Sequence, residues 1–328
     1  MTLPRVLYWS HAPEDVYQVL HNCAVNIAQL QTLSSDDDQE RSHRLKSVDA
    51  VIVAARPFRE SDLANAPSLR LIHHQGVGYH DTTPVAAMAE RGIRLALTPE
   101  GTTTGVAEHT VLLMLAVCKR LCHVDAEMRT GHWHVNTYRG ESREIAGMTV
   151  GYVGFGRIGQ AVAARLEAFG ARAIYHDLTE APEGSKAEKV QHLEELLARA
   201  DIVSLHVPLM PSTRHIINAK MLSRMKQGAI LINASRGGLV DEAALVDCLR
   251  NGHLAGAGLD CFETEPVQVD HPLFNFHNVV LTPHTAAATG DALKSKMAAL
   301  FDNIAGWTRT GTLRNEVKLE RNPISAVP

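Results

Sequence analysis

Short apolar runs alternate with longer amphipathic stretches along this chain, and the alternation falls into two series. In the first, RVLYW (5–9), VNIAQL (25–30), DAVIVAA (49–55), LRLIHHQ (69–75) and IRLALT (93–98) read as strands. Helices are predicted between them over about 13–22, 38–47 and 83–91. The runs are rich in aliphatic and β-branched residues and stay apolar for several positions, as strands buried on both faces do. The second series begins at Met148, with strands predicted near 148–155, 172–177, 201–207, 229–234, 255–260 and 278–282. Strands alternating with helices argue for parallel sheets covered by helices.

Between the two series one long helix is expected, from about Thr104 to Thr130. Val111, Leu112, Leu113, Met114, Leu115, Ala116 and Val117 follow one another without a polar residue. Such a run covers every face of a helix with 3.6 residues per turn, so it must be buried on several sides. We read it as a connector between two domains that also meets a second subunit, which makes the protein a homodimer. A last helix, over about 290–309, is expected to return to the first domain, leaving that domain discontinuous. The tail RNPISAVP (321–328) reads as a mobile end.

Composition narrows the function classes. A chain of 328 residues suggests two domains of ordinary size. With 45% hydrophobic residues, 21% charged residues and a net charge of −4, it is an ordinary soluble globular protein. No basic block invites nucleic acid. The run VLLMLAVC (111–118) is too short to span a membrane. The N-terminal MTLPRVLYWS lacks the charged-then-apolar pattern of a signal peptide, so residence in the cytoplasm is expected. Five scattered cysteines without a CxxC fit reduced thiols. Among 18 histidines, His73-His74 and His132-Trp133-His134 invite a metal reading, but neither group has a second cluster at ligand spacing. No metal is expected. Asp36, Asp37 and Asp38 read as a solvated loop or the first turn of a helix.

The strongest chemical signal is GYVGFGRIG (151–159), in which Gly154, Gly156 and Gly159 have the spacing G-x-G-x-x-G. The first glycine allows a tight turn out of the strand. The second lets a pyrophosphate approach bare backbone, and the third lets helix and strand pack closely. A strand is predicted before it and a helix after it, which is the context the motif needs. The next strand ends at Asp177, placed to bind both hydroxyls of an adenine ribose. A carboxylate there repels a 2′-phosphate, and Leu178 to Ala181 supply no cation, so NAD is expected rather than NADP.

Three predicted strand ends downstream carry groups able to bind an acid and move a proton. Arg236 follows AILINA, Asp260 and Glu265 lie in AGAGLDCFETEP, and His284 follows NVVLTP. Taken singly, each has a bland account: a turn-capping arginine, a solvated loop acid, a lone loop histidine. Recurring at successive strand ends behind a dinucleotide fingerprint, they point to one site.

With these stretches in place, the chain resembles the D-isomer-specific 2-hydroxyacid dehydrogenases. The resemblance covers nearly the whole sequence, through QGVGYHD (75–81), GVAEHTVLLML (105–115), GYVGFGRIGQAVA (151–163), DIVSLHVPLMPSTRHIIN (201–218), INASRGGLVDEAAL (232–245), GAGLDCFETEP (256–266) and NVVLTPH (278–284). It implies an α/β fold of two doubly wound domains. A Rossmann NAD-binding domain over 103–285 would be inserted in a flavodoxin-like substrate domain made of 1–102 and 286–328.

The resemblance also implies roles. Arg236 would grip the substrate carboxylate, His284 would be the general acid or base, and Glu265 would pair with His284. Asp260 would bind the nicotinamide carboxamide. His206, Val207 and Pro208 would line the adenine side. Gly154, Phe155, Gly156, Arg157, Ile158 and Gly159 would hold the pyrophosphate. Thr213, Ala234 and Ser235 would add further coenzyme contacts, along with Arg236 and His284. The amides of Val77 and Gly78 would hold the substrate carboxylate. His80 departs from the pattern, because many relatives place an aspartate there and here Asp81 follows. The expected activity is reduction of a small 2-oxoacid such as glyoxylate or hydroxypyruvate, in a cleft that closes over the substrate. Formate dehydrogenase is not expected, since it carries glutamine where this chain has Glu265. Phosphoglycerate dehydrogenase is less expected, because no long regulatory domain follows residue 328. The alternative is an NAD-sensing regulator resembling the family's transcriptional corepressor.

Overall fold

The computed structural model describes residues 2–54, 56–133 and 135–319; His134 and the tail 321–328 lie outside the described residues. Its strands in chain order are β1 (Arg5–Tyr8), β2 (Gln29–Gln31), β3 (Ala50–Val53), β4 (Leu71–His74), β5 (Arg94–Leu97), β6 (Thr149–Val153), β7 (Arg172–His176), β8 (Glu188–Lys189), β9 (Ile202–Leu205), β10 (Ala229–Asn233), β11 (Leu254–Leu259), β12 (Val279–Leu281) and β13 (Glu316–Val317). Its helices are α1 (Glu14–Ala24), α2 (Asp38–Leu45), α3 (Glu60–Leu63), α4 (Val85–Arg91), α5 (Thr102–Cys118), α6 (Leu121–Arg129), α7 (Arg157–Glu167), α8 (Leu193–Arg199), α9 (Ala219–Arg224), α10 (Glu242–Arg250) and α11 (Gly290–Thr310). The chain divides into two compact units, one formed by Met1–Thr102 with Thr289–Pro328 and the other by Thr103–Ala288.

The first unit is a sheet in the order β13-β5-β4-β3-β1-β2, parallel except for the edge strand β13. The order 2-1-3-4-5 is the flavodoxin-like doubly wound one. Every residue of β3 and β4 is buried, which is why AVIV and LIHH carry no alternation of polar and apolar. The two histidines of β4 are core hydrogen-bonding groups. His73 donates Nδ1–H to Thr98 Oγ1 (3.3 Å) and accepts at Nε2 from the Asn303 amide (3.0 Å). Burial pushes the His73 ring down to about 3, so it stays neutral. The expected strand over 25–30 is displaced: Asn26 turns the chain at φ 59°, and β2 begins only at Gln29. In this unit α11 buries Met297, Leu300, Phe301 and Ile304 in one cluster with Val6, Ile52 and Leu71.

The second unit is an all-parallel sheet in the order β12-β11-β10-β9-β6-β7-β8, the Rossmann arrangement, with the direction of winding reversing between β6 and β9. The expected helix over 104–130 is two helices. The chain breaks at Arg120, whose φ is 53° and whose guanidinium pairs with Glu141 and lies over the Tyr138 ring. Within α5, Leu113, Met114 and Ala116 are buried in the unit's own core, while Leu112 is 51% exposed. The chain alone therefore covers most of the apolar run, and less of it is left to a partner than the run suggested. No described helix is long and apolar enough to cross a membrane. All five cysteines are free.

Candidate active site

The glycine-rich turn leaves β6 and enters α7. Gly154 has φ +88°, and a Cβ there would lie 2.7 Å from the His206 carbonyl oxygen. A Cβ on Gly159 would lie 2.8 Å from the Gly154 carbonyl oxygen. Both positions therefore require glycine. Gly156 differs: nothing lies within 4 Å of where its Cβ would be, and as N-cap of α7 it provides no side-chain cap. Open space in front of uncapped amides at a helix N-terminus fits a pyrophosphate. Gly154, Gly156, Gly159 and the first turn of α7 would hold the NAD phosphates, and Asp177 at the end of β7 would hold the ribose.

Asp177 Oδ2 accepts from the Phe155 amide (2.6 Å), and Oδ1 accepts from the Thr179 amide (2.8 Å) and hydroxyl (3.0 Å). Burial raises its affinity for a proton, yet these bonds and the Lys189 charge outweigh it and hold the carboxyl below its usual range. The residue thus braces the glycine turn as well as ending β7. Several expected coenzyme contacts turn their side chains elsewhere. Phe155, expected to hold the pyrophosphate, does not offer its amide to it: the ring is buried on Tyr175 at 4.4 Å between centroids, and the amide is donated to Asp177. His206 Nε2 pairs with Ser204 Oγ (2.9 Å), and burial pushes its ring down to about 4. The Thr213 hydroxyl donates to the Pro208 carbonyl (2.6 Å), closing the loop that carries Val207 and Pro208. The Ser235 hydroxyl donates to the Leu205 carbonyl (2.7 Å). Arg157 is exposed, while Ile158 and Ala234 are half-buried.

Downstream of β10, β11 and β12 the expected acid–base groups assemble within the second unit. His284 has φ 55°, and its amide donates to the Asp260 carbonyl (2.7 Å). Its Nδ1 lies 2.8 Å from Glu265 Oε2, while Glu265 Oε1 accepts from the Phe262 amide (2.9 Å). Burial works against ionising Glu265. The His284 and Phe262 hydrogen bonds, with the His284 and Arg236 charges, reverse this and hold the carboxyl below its usual range. With Nδ1–H given to Glu265, Nε2 is the nitrogen left to meet a substrate oxygen. His284 and Glu265 are both half-exposed, as groups that meet a ligand must be.

Asp260, expected to bind a carboxamide, is 1% exposed and committed to the loop that carries His284. Oδ1 accepts from the Thr282 hydroxyl (2.6 Å) and the Thr285 amide (2.8 Å), and Oδ2 accepts from the Ala286 amide (2.9 Å). His109 on α5 approaches both Thr282 Oγ1 (2.9 Å) and Asp260 Oδ1 (3.4 Å). Burial opposes ionisation of Asp260, and the bonds from His109, Thr282 and the two amides hold its carboxyl below the usual range.

Sequence reasoning missed His109, and it missed Asn233, whose amide donates to the Arg236 carbonyl (2.9 Å) while its oxygen accepts from the Ser235 amide (3.1 Å). A polar residue closing the buried strand AILIN was the available signal for Asn233. Val77 and Gly78 belong to the first unit, in the loop after β4. There the Thr82 hydroxyl donates to the Gly78 carbonyl (3.3 Å) and also meets His74 Nε2 (2.9 Å). His80 stacks on Tyr79 at 4.0 Å in the same loop. Among the described residues, no group of three His, Cys, Asp or Glu side chains is placed to hold a metal ion.

The description "D-isomer specific 2-hydroxyacid dehydrogenase, NAD binding domain" matches residues 111–286. A glyoxylate reductase of Thermofilum pendens is 37% identical over 306 residues, covering 92% of this chain and 90% of that protein. A D-3-phosphoglycerate dehydrogenase of Mycobacterium leprae is 41% identical over 262 residues, 78% of this chain. That match is only 49% of the relative, so the chain spans about half the length of the mycobacterial proteins it matches. Among solved structures, the NADPH-dependent glyoxylate/hydroxypyruvate reductase of Sinorhizobium meliloti superposes with a TM-score of 0.85 at 32% identity, covering 96% of this chain and 97% of that one. The D-lactate dehydrogenase of Aquifex aeolicus, complexed with NAD and lactic acid, gives a TM-score of 0.84 at 28% identity, covering 93% and 96%. By these matches and by the NAD-binding fold of its second unit, the chain belongs to the D-isomer-specific 2-hydroxyacid dehydrogenase family.

Proposed function

We propose that this protein is an NAD-dependent 2-hydroxyacid dehydrogenase that reduces a small 2-oxoacid, with glyoxylate and hydroxypyruvate as the leading substrates. The observation that carries the reading is the His284–Glu265 pair at 2.8 Å, in the field of the Arg236 guanidinium. Bound NADH supplies a hydride to carbon 2 of the oxoacid. Negative charge then grows on the carbonyl oxygen, and protonated His284 donates to it from Nε2 as general acid. Glu265 stabilises the charged ring and fixes its rotation. Arg236 binds the substrate carboxylate in two-pronged fashion and steadies the developing oxyanion. Oxidation of the hydroxyacid uses the same groups with His284 neutral, as base. The amides of Val77 and Gly78 are assigned to the substrate carboxylate on the family resemblance.

The substrate assignment draws on the Thermofilum and Sinorhizobium reductases, and phosphoglycerate remains the competing substrate through the mycobacterial relatives. The non-catalytic regulator is not favoured, because these relatives are named for dehydrogenase or reductase activity. NAD is preferred over NADP here on the Asp177 carboxylate, although the Sinorhizobium enzyme is NADPH-dependent. Homodimer formation and residence in the cytoplasm complete the proposal, the latter supported by five free thiols. A panel of 2-oxoacids, each run with NADH and with NADPH, tests it. Turnover of glyoxylate or hydroxypyruvate with NADH is the expected result, and no turnover of any 2-oxoacid with either coenzyme would refute it.

A further inference from the structure

We propose that Glu242 is a positioning residue for the acid–base pair, holding the loop that carries Glu265 so that Oε2 meets the His284 ring. The inference rests on the roles given above to Glu265 and His284. Glu242 opens α10, where an acidic residue ordinarily needs no account beyond the helix dipole. Its geometry says more. The helix is already capped by Asp241, whose Oδ1 accepts from the Ala244 amide (3.0 Å), so Glu242 is released from that task. Both of its oxygens are spent away from the helix. Oε1 accepts from the Glu263 amide at 2.6 Å, and Oε2 meets His271 Nε2 at 3.1 Å. His271 Nδ1 accepts from the Leu273 amide (3.3 Å), so the ring proton sits on Nε2 and points at Glu242.

The Phe262 and Glu263 amides are thus each held by a carboxylate, Phe262 by Glu265 itself and Glu263 by Glu242. The same peptide presses on Gly237, the residue after Arg236. A Cβ on Gly237 would lie 1.8 Å from the Phe262 carbonyl carbon and 2.5 Å from the Glu263 nitrogen. The Glu263 side chain is also held, by His215 and Arg214, so losing Glu242 removes the backbone anchor alone; the peptide can then turn off Gly237 and carry Glu265 with it. Glu265 meets His284 directly and lies in the fields of Arg236 and the Cys261 thiol, and with Oε1 held by the Phe262 amide, the position of the loop decides whether Oε2 reaches the imidazole. Charge-assisted bonds of this length are the strong ones among backbone anchors.

The test is a double-mutant cycle read by pH profile. Glu242→Ala should lower oxoacid turnover by about ten- to a hundredfold, the scale of a misplaced catalytic group. It should also move the alkaline limb of the rate to lower pH, as Glu265→Gln does, while NADH binding by fluorescence titration stays unchanged. Added to Glu265→Gln it should cost almost nothing more. Glu242→Gln should recover part of the lost rate: its amide oxygen can still accept from Glu263, while its NH2 replaces the acceptor that His271 meets. Glu242→Asp keeps the charge at the helix N-terminus and so guards against a misfolded variant, yet it withdraws the carboxylate from Glu263. It should show the same limb shift. If Glu265→Gln moves the limb but the Glu242 variants do not, or if the two changes simply add, this inference fails alone. If Glu265→Gln leaves the profile unchanged, the active-site reading fails and this inference falls with it.

Discussion

A non-glycine residue at positive φ is uncommon, and His284 adopts φ 55° at the head of a loop fastened by Asp260. Such a backbone persists only where its surroundings over-determine it. Here the local cost goes with aiming one imidazole. Replacing His284 by alanine should lower turnover by about a hundred- to ten-thousandfold and leave NADH affinity nearly unchanged. Steady-state rates and coenzyme titration check both halves, and near-normal turnover would remove His284 from the chemistry. Glu265 is ionised across the neutral range, because its carboxyl is held low. Reduction takes up a proton, which His284 is proposed to deliver, so its rate should fall as pH rises. In Glu265→Gln the imidazolium loses its counter-ion, so the fall should come at lower pH. An unchanged profile would exclude Glu265 from the mechanism.

Loops between elements carry the next layer. Asp260 joins the end of β11 to the loop after β12 through three accepted hydrogen bonds. Asp260→Asn puts an NH2 where one of those donors points, and should cost about 1–3 kcal/mol. The folded carboxyl titrates lower than the unfolded one, so its stabilisation is complete above the unfolded value and is lost as pH falls through the folded one. The difference in denaturation midpoint between wild type and variant should therefore be constant near neutral pH and shrink in acid. At the other end of the sheet, Asp177→Ala should narrow the preference for NADH over NADPH. It should also weaken NADH, because the variant loses the brace on the Phe155 amide. Equal use of both coenzymes by the unchanged protein would refute the assignment.

Elements of this length are where the sequence was most legible. Buried parallel strands announce themselves as unbroken apolar runs, and the glycine spacing placed β6 and α7 together. The two-residue strands β8 and β13 and the four-residue α3 are too short to carry a period. The break at Arg120 was hidden for a different reason: it depends on Glu141 and Tyr138, and no local pattern contains them. At the site, residue types were legible and directions were not. Phe155, His206, Thr213 and Ser235 sit in the expected stretches, but their side chains bond or pack within the protein.

For the whole molecule, exposed apolar side chains are found both within the run that first suggested a partner, at Leu112, and in the helix and loop after it. Leu112, Leu121 and Met128 on α5 and α6 are each about half exposed, and Trp133 is 74% exposed. These are the side chains to which the proposed dimer contact is assigned. We expect light scattering at micromolar concentration to report a dimer, and charged replacements at Leu121 and Met128 to yield monomers. A mass near 35.8 kDa for the unmodified protein would leave the homodimer without support.

The first unit is built from the two ends of the chain, and this sets an order of events during synthesis. When residue 102 leaves the ribosome, its parallel strands still lack Met297, Leu300, Phe301 and Ile304, which fill one face of their core. His73 still lacks the amide of Asn303, and β5 still lacks its edge partner β13. The inserted unit, being contiguous, can close first. A chain cut short before α11 would therefore keep a nucleotide-binding fold while its amino-terminal hundred residues remained an exposed, aggregation-prone sheet.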